Sequence, residues 1–409
     1  MLAARAAHAG ALRRDARVVQ LEARPALLAD DDQPGSPWRF ARLTGNQARP
    51  RYVGCARCPL EARRRTGRPG AFARGVVAVP AAAARRSSRS LSPLLERRLV
   101  VVTGKGGTGK TSVVAALGFA ATRAGRRALL VETGRDENLP RLLSHDARPA
   151  GYAGRTYEGG LRSMRSDPYE ALAEYLRIQL RVPGVVSRVL RNRGFRQLMD
   201  AAPGWRELIT LGKVWHLEQQ KDARGGPLHD LLIVDAPATG HGLTFLDVPR
   251  VVVSAVRAGP LRRHAGAVEA MLKDPRDTLL LPVALPEELP ARETAELVQR
   301  VREGVGIAVD RVVVNAVPAP PFPPALPDLD ARLAALPRDA ALPGIPDPAV
   351  LARCAAHLRG RFELAREYVG RIAEWTALPA VELPWLPEGV RGPAELERLA
   401  SALLAGERA

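Results

Sequence analysis

Eight consecutive residues, Gly104, Lys105, Gly106, Gly107, Thr108, Gly109, Lys110 and Thr111, carry the clearest chemistry in the chain, and Ser112 follows them. Gly104, Gly109, Lys110 and Thr111 meet the pattern G-x-x-x-x-G-K-[ST]. In such a loop, glycines let successive backbone N–H groups turn inward around phosphate oxygens, where a Cβ would collide. A helix N-terminus behind the loop adds partial positive charge. Lys110 would reach the β- and γ-phosphates of a nucleotide, and the Thr111 hydroxyl would meet Mg²⁺.

A second group complements the first. Leu231-Leu232-Ile233-Val234-Asp235 is an aliphatic run ending in a carboxylate. At the C-terminal end of a strand, where ligands of open α/β sheets bind, Asp235 would hold Mg²⁺ directly or through water. The chain continues through Ala236, Pro237, Ala238, Thr239, Gly240 and His241. The Gly240 backbone N–H would approach a γ-phosphate, so this segment would respond to the presence of that phosphate. Asn315 closes the β-branched run Val312-Val313-Val314.

These residues need a scaffold. Leu99-Val100-Val101-Val102-Thr103 reads as the strand entering the loop, and Ser112 to Leu117 as the helix leaving it, with Gly125 as its stop. Ala128 to Glu132 reads as the next strand, which makes a βαβ unit and a parallel sheet. Helical spacing occupies about 167–222, an insertion between strands that is either a partner-binding surface or a packed cap. Thr278 to Val283 and Val312 to Asn315 supply later strands, and Val381 to Pro387 supplies the last strand and a nucleotide-side loop. Helices are expected from Ala291 to Glu303, from Pro348 to Thr376 and from Gly392 to Leu404, with a proline-rich loop over 318–346. The expected fold is α/β: a P-loop NTPase with a mostly parallel sheet flanked by helices and a helical insertion subdomain.

Composition narrows the function. The net charge of +18 resembles a nucleic-acid signature, but nineteen arginines and seven acids precede Arg98, which places twelve of the eighteen charges there. Residues 1–95 read as a disordered or mis-called N-terminal extension, and 96–409 as the P-loop domain. No apolar run is long enough to span a bilayer, and the helix near Ala394 to Leu404 is too weakly charged to seek a membrane surface. Neither a specific nucleic acid partner nor stable membrane insertion is expected. Cys55, Cys58 and Cys354 form no disulfide framework, and Cys55-x-x-Cys58 has no second Cys or His pair at zinc spacing. A reducing cytoplasm is the expected location.

Lys105 turns the loop into G-K-G-G-x-G-K-[ST]. This resembles the deviant Walker A loop of a dimeric ATPase class that includes MinD and ParA proteins, nitrogenase iron protein, and the arsenical-pump and tail-anchored-protein-targeting ATPases. In that class the additional lysine acts on phosphate across a nucleotide-sandwich dimer. Asp235, Thr239, Gly240 and His241 also match the D-x-A-P-T-G-H-type second switch of the arsenical-pump and tail-anchored-protein-targeting family, with Pro237 one place early. The resemblance spans about Arg98 to Leu404. It implies ATP and Mg²⁺ as cofactors, a homodimer with an unknown protein client, and an adenine contact from Asn315.

The first switch departs from the family. Alignment on Leu129-Leu130-Val131 puts Gly134 where the family has the Asp that orients the attacking water. Asp136 and Glu137, with Glu132 behind them, are the carboxylates left to do so, and slow hydrolysis is the alternative. Arsenite transport is not expected, because only Cys354 lies outside the extension. The Met-rich groove of tail-anchored targeting is not visible in a chain with four Met. The sequence therefore predicts an ATP-hydrolysing dimeric switch. The other readings are a ParA/MinD-like positioning ATPase and a nucleotide-binding scaffold with little hydrolysis.

Overall fold

The computed structural model describes residues 92–180, 188–202, 204–337 and 347–405. The chain divides into Met1–Ala82 and Ala83–Ala409, and all described residues belong to the second unit. Cys55, Cys58 and nearly all of the expected 1–95 extension lie outside the described residues. The expected boundary after residue 95 cuts through a short helix, Pro93–Glu96, whose Leu94 and Leu95 are buried in the core.

The strands are β1 (Leu99–Gly104), β2 (Ala128–Glu132), β3 (Arg155–Thr156), β4 (Arg162–Arg165), β5 (Leu231–Ala238), β6 (Thr278–Ala284), β7 (Val312–Val317) and β8 (Ala380–Pro384). They form one sheet in the order β3-β4-β2-β5-β1-β6-β7-β8. Every neighbouring pair is parallel except β3 with β4. β1, β2 and β6 are buried along their whole lengths, as strands covered on both faces must be. Their unbroken aliphatic runs follow from that double burial.

Alternate residues of β1 serve opposite layers. Val100 and Val102 pack with Val113 and Leu117 of helix Lys110–Arg123 and with Leu399 and Leu403 of helix Pro393–Ala405. Leu99 and Val101 face the other layer, with Phe245 of helix Thr239–Ala255, Val268 of helix Pro260–Lys273 and Leu297 of helix Glu288–Arg300. The edge strand β8 and its neighbour β7 are covered by the long helix Pro348–Thr376, which buries Tyr368, Val369 and Ile372.

The helical stretch after β4 contains Pro168–Leu180, Arg193–Ala201 and Trp205–Gln219. Leu211, Val214 and Leu217 of its last helix join the core on the sheet's second face. That helix is therefore part of the covering layer as well as of the insertion. A cleft open to solvent lies between Pro168–Leu180, Trp205–Gln219 and Pro260–Lys273; Ile178, Leu208, Ile209, Leu261 and Val268 form its apolar wall.

Several boundaries differ from the sequence reading. β3 and β4 were not expected, because Arg162-Ser163-Met164-Arg165 lacks the aliphatic run of the central strands. The expected helix over 291–303 begins earlier, at Glu288, and ends in a wide turn, Val301–Val305. A short helix, Leu329–Ala334, interrupts the proline-rich loop, and residues 338–346 of that loop lie outside the described residues.

Candidate functional site

β1 and β5 lie side by side, so their C-terminal ends bring together residues far apart in sequence. Val102 is in register with Asp235, and Glu132 at the end of β2 is in register with the same Asp235. β1 then turns at Gly104, whose φ of +152° and 2.1 Å approach of a notional Cβ to the Val283 carbonyl oxygen of β6 leave room for glycine alone. Gly109 ends the loop with φ +85°, and a Cβ there would lie 2.2 Å from Asn315 Nδ2. Between them, Cβ positions on Gly106 and Gly107 meet no atom within 4 Å, so the loop keeps an open side.

The loop's side chains are held by the protein itself. Lys110 Nζ donates to the carbonyl oxygens of Gly104 at 3.1 Å and Lys105 at 2.9 Å. Thr108 Oγ1 donates to the Lys105 oxygen at 2.9 Å. Thr111 Oγ1 donates to Asp235 Oδ2 at 2.6 Å. Lys105 Nζ leaves the loop and reaches Glu293 Oε1 at 2.8 Å. Ser112 follows Thr111 in the first turn of the helix. Burial lowers the Lys110 ammonium, and the nearby Asp235 charge opposes that shift. Burial raises the Asp235 carboxyl, against the Thr111 hydrogen bond and the Lys110 charge.

Thr111 and Asp235 together form an oxygen donor set suited to a hard cation. Among the described residues, no cluster of three His, Cys, Asp or Glu side chains could hold a metal ion. One carboxylate and one hydroxyl beside an open phosphate cradle fit Mg²⁺, which is bound through one or two carboxylates together with substrate phosphates.

The first-switch loop divides its carboxylates. Glu132 is buried and accepts from the backbone N–H groups of Asn138 at 2.7 Å and Leu139 at 3.1 Å, anchoring the start of helix Leu139–Leu143. Burial pushes its carboxyl up to about 7 despite those two donors. Glu137 accepts from the N–H groups of Ala150 at 2.6 Å and Gly151. Asp136 is exposed. Of the two residues expected to orient water, Glu137 thus braces a neighbouring loop, and Asp136 faces solvent.

The second switch is not a free loop. β5 continues past Asp235 to Ala238, and a helix begins at Thr239. Gly240 and His241 therefore lie in a helix's first turn, where backbone N–H groups have no intrahelical partner. Thr133 Oγ1 donates to the Asp235 carbonyl oxygen at 2.7 Å, tying the two switch segments together.

Asn315 Nδ2 donates to the Thr108 carbonyl oxygen at 2.9 Å, so in this structure its amide braces the loop. The next residue, Ala316, has φ +59°, where the β7–β8 register shifts. Sequence reasoning passed over Glu293. It lies 188 residues from Lys105 and belongs to no motif.

Residues 97–266 match the model of a family described as anion-transporting ATPase. ATPase BagA of Mycobacterium tuberculosis is 30% identical over 311 residues, covering 72% of this chain and 88% of that protein. ATPase get3 of Neurospora crassa is 25% identical over 345 residues, covering 75% and 90%. The arsenical pump-driving ATPase of Acidiphilium multivorum is 29% identical over 254 residues, covering 57% of this chain and 41% of that protein.

Proposed function

The chain belongs to the anion-transporting ATPase family, and we propose that it binds and hydrolyses Mg·ATP as a cytoplasmic, homodimeric nucleotide switch. The observation that carries this reading is the meeting of Lys110, Thr111 and Asp235 beside the open side of a glycine-rich loop.

In this reading, the backbone N–H groups of 104–111 and the N-terminus of helix Lys110–Arg123 receive the β-phosphate. Lys110 exchanges the carbonyl oxygens of Gly104 and Lys105 for phosphate oxygens. Its reduced basicity comes from burial, and bound phosphate charge restores it. Thr111 and Asp235 hold Mg²⁺, which supplies charge neutralisation at the phosphates. Gly240 presents its backbone N–H to the terminal phosphate from the first turn of its helix. Asp136 is the exposed first-switch carboxylate and orients water, while Glu137 fixes the loop's other side. Lys105 acts on phosphate, across the dimer as in the deviant Walker A class. With Gly134 where the family has its Asp, turnover is slow, because phosphoryl transfer depends on positioning and electrostatics.

The protein client engages the apolar cleft of the helical layer, whose wall carries Ile178 and Leu261 in exposed positions. None of the cleft's lining residues is a methionine, so client selection there rests on branched aliphatic and aromatic contacts. Among the described residues, no helix is long and apolar enough to cross a membrane.

Equilibrium binding of ATP to the full chain tests the reading. Mg²⁺ should tighten binding, and Lys110→Ala should weaken it by about tenfold or more. Equal affinity in the variant would contradict it.

A further inference from the structure

The two lysines of the glycine-rich loop are held in different ways. Lys110 rests on neutral carbonyl oxygens of its own loop. Lys105 is held by a full negative charge from outside the loop, Glu293 Oε1 at 2.8 Å. Glu293 sits in helix Glu288–Arg300, which follows β6, the strand that flanks β1 and meets Gly104 at Val283. The sheet therefore sets this carboxylate at the mouth of the phosphate cradle.

No cation lies one turn from Glu293 on its own helix. The residues one turn away are Leu289, Pro290, Glu296 and Leu297. The helix's other acids are occupied elsewhere, Glu288 with Arg292 and Glu296 with Arg300. Lys105 and Glu293 are 30% and 34% exposed, so water screens the pair and exchange is easy. A terminal phosphate brings more charge than one carboxylate and would win Lys105. Glu293 would then be a free carboxylate beside that phosphate.

We propose that Glu293 is a positioning residue for Lys105: it keeps that lysine off phosphate in the nucleotide-free chain and biases the site against ATP relative to ADP. The proposal rests on the nucleotide-binding reading above and adds a residue that sets when Lys105 becomes available. A third phosphate must take Lys105 from Glu293 and tolerate the carboxylate left behind. A diphosphate ends before that contest begins.

Two measurements on the full chain decide it. The chain has only five lysines, Lys105, Lys110, Lys213, Lys221 and Lys273, so acetylation footprinting by mass spectrometry resolves each one. Without nucleotide, Lys105 should be protected in the wild type and should label about threefold faster or more in Glu293→Gln. Equal labelling overturns the proposal. The second measurement is calorimetric binding of Mg·ADP and a non-hydrolysable Mg·ATP analogue. Glu293→Gln should raise the ATP-to-ADP affinity ratio by about threefold or more, while Glu296→Gln, which removes the same charge one turn along the helix, should change it less than about twofold. A purely structural role for Glu293 would shift both nucleotides together, and an unchanged ratio overturns the proposal. In a Lys105→Met background the increase should fall to less than half, and its full persistence also overturns it. If the wild-type chain binds neither nucleotide, the underlying reading fails and this inference fails with it; if both bind and the ratio stays fixed, only the positioning role fails.

Discussion

The Thr111 hydroxyl donates to Asp235 Oδ2 at 2.6 Å, joining the first turn of the loop helix to the strand beside it across 124 residues of sequence. This pair combines the two oxygen donors that a magnesium-dependent phosphate site requires, and it forms because β1 and β5 are neighbours in register. Asp235→Asn keeps the shape and removes the charge. It should lower Mg·ATP turnover by about a hundredfold or more while changing Mg²⁺-free ADP affinity by less than about threefold. A magnesium titration of activity and binding checks both numbers.

Asn315 offers a second test. Its amide holds the Thr108 carbonyl oxygen and lies against Gly109. Asn315→Ala removes a brace of the loop, so ATP and GTP should both lose affinity, each by about tenfold. Competition binding with the two nucleotides measures this. A loss confined to ATP would assign Asn315 to the base instead.

Glu132 gives a stability prediction with a definite sign. Its carboxyl is raised to about 7 by burial from an ordinary value of 4.5. Between those values the folded chain keeps a proton that the unfolded chain has released. Stability therefore falls as pH rises through this window, by about 3 kcal/mol from this residue. Glu132→Gln should melt at a higher temperature than wild type at pH 8 and show little gain at pH 5. Thermal melts of the nucleotide-free chain at both pH values check it.

His229 slopes the other way. Burial, with the nearby Arg162, Arg127 and Arg98 charges, lowers its imidazole to about 4. Below the ordinary 6.5 the unfolded chain takes up a proton that the folded chain refuses. The contribution is present above 6.5 and is lost as pH falls toward 4, by about 3 kcal/mol. His229→Gln should flatten the acid limb of the stability profile between pH 6.5 and 4, as read by urea unfolding.

Much of this architecture is legible in sequence for a physical reason. A strand buried on both faces must be aliphatic throughout, so Leu99 to Val102, Ala128 to Val131 and Leu231 to Val234 stand out, and the glycines and carboxylate after them mark the strand ends. The same reasoning misses β4, because next to the two-residue edge strand β3 it tolerates the half-buried Arg162 and Arg165. It also ends the strand at Asp235, where the aliphatic run stops, whereas β5 runs on to Ala238. The roles of Glu137 and Glu293 depend on contacts across 13 and 188 residues, which local pattern does not encode. Asn315 is expected to end its strand, but β7 runs on to Val317, and the Asn315 hydrogen bond to Thr108 appears only once β7 and the loop are seen together.

Steady-state phosphate release from Mg·ATP by the full chain, measured beside Lys110→Ala, tests the central claim most directly. The account predicts slow, measurable release that falls by about a hundredfold or more in the variant. ATP binding with no release, or release indifferent to Lys110, would contradict it.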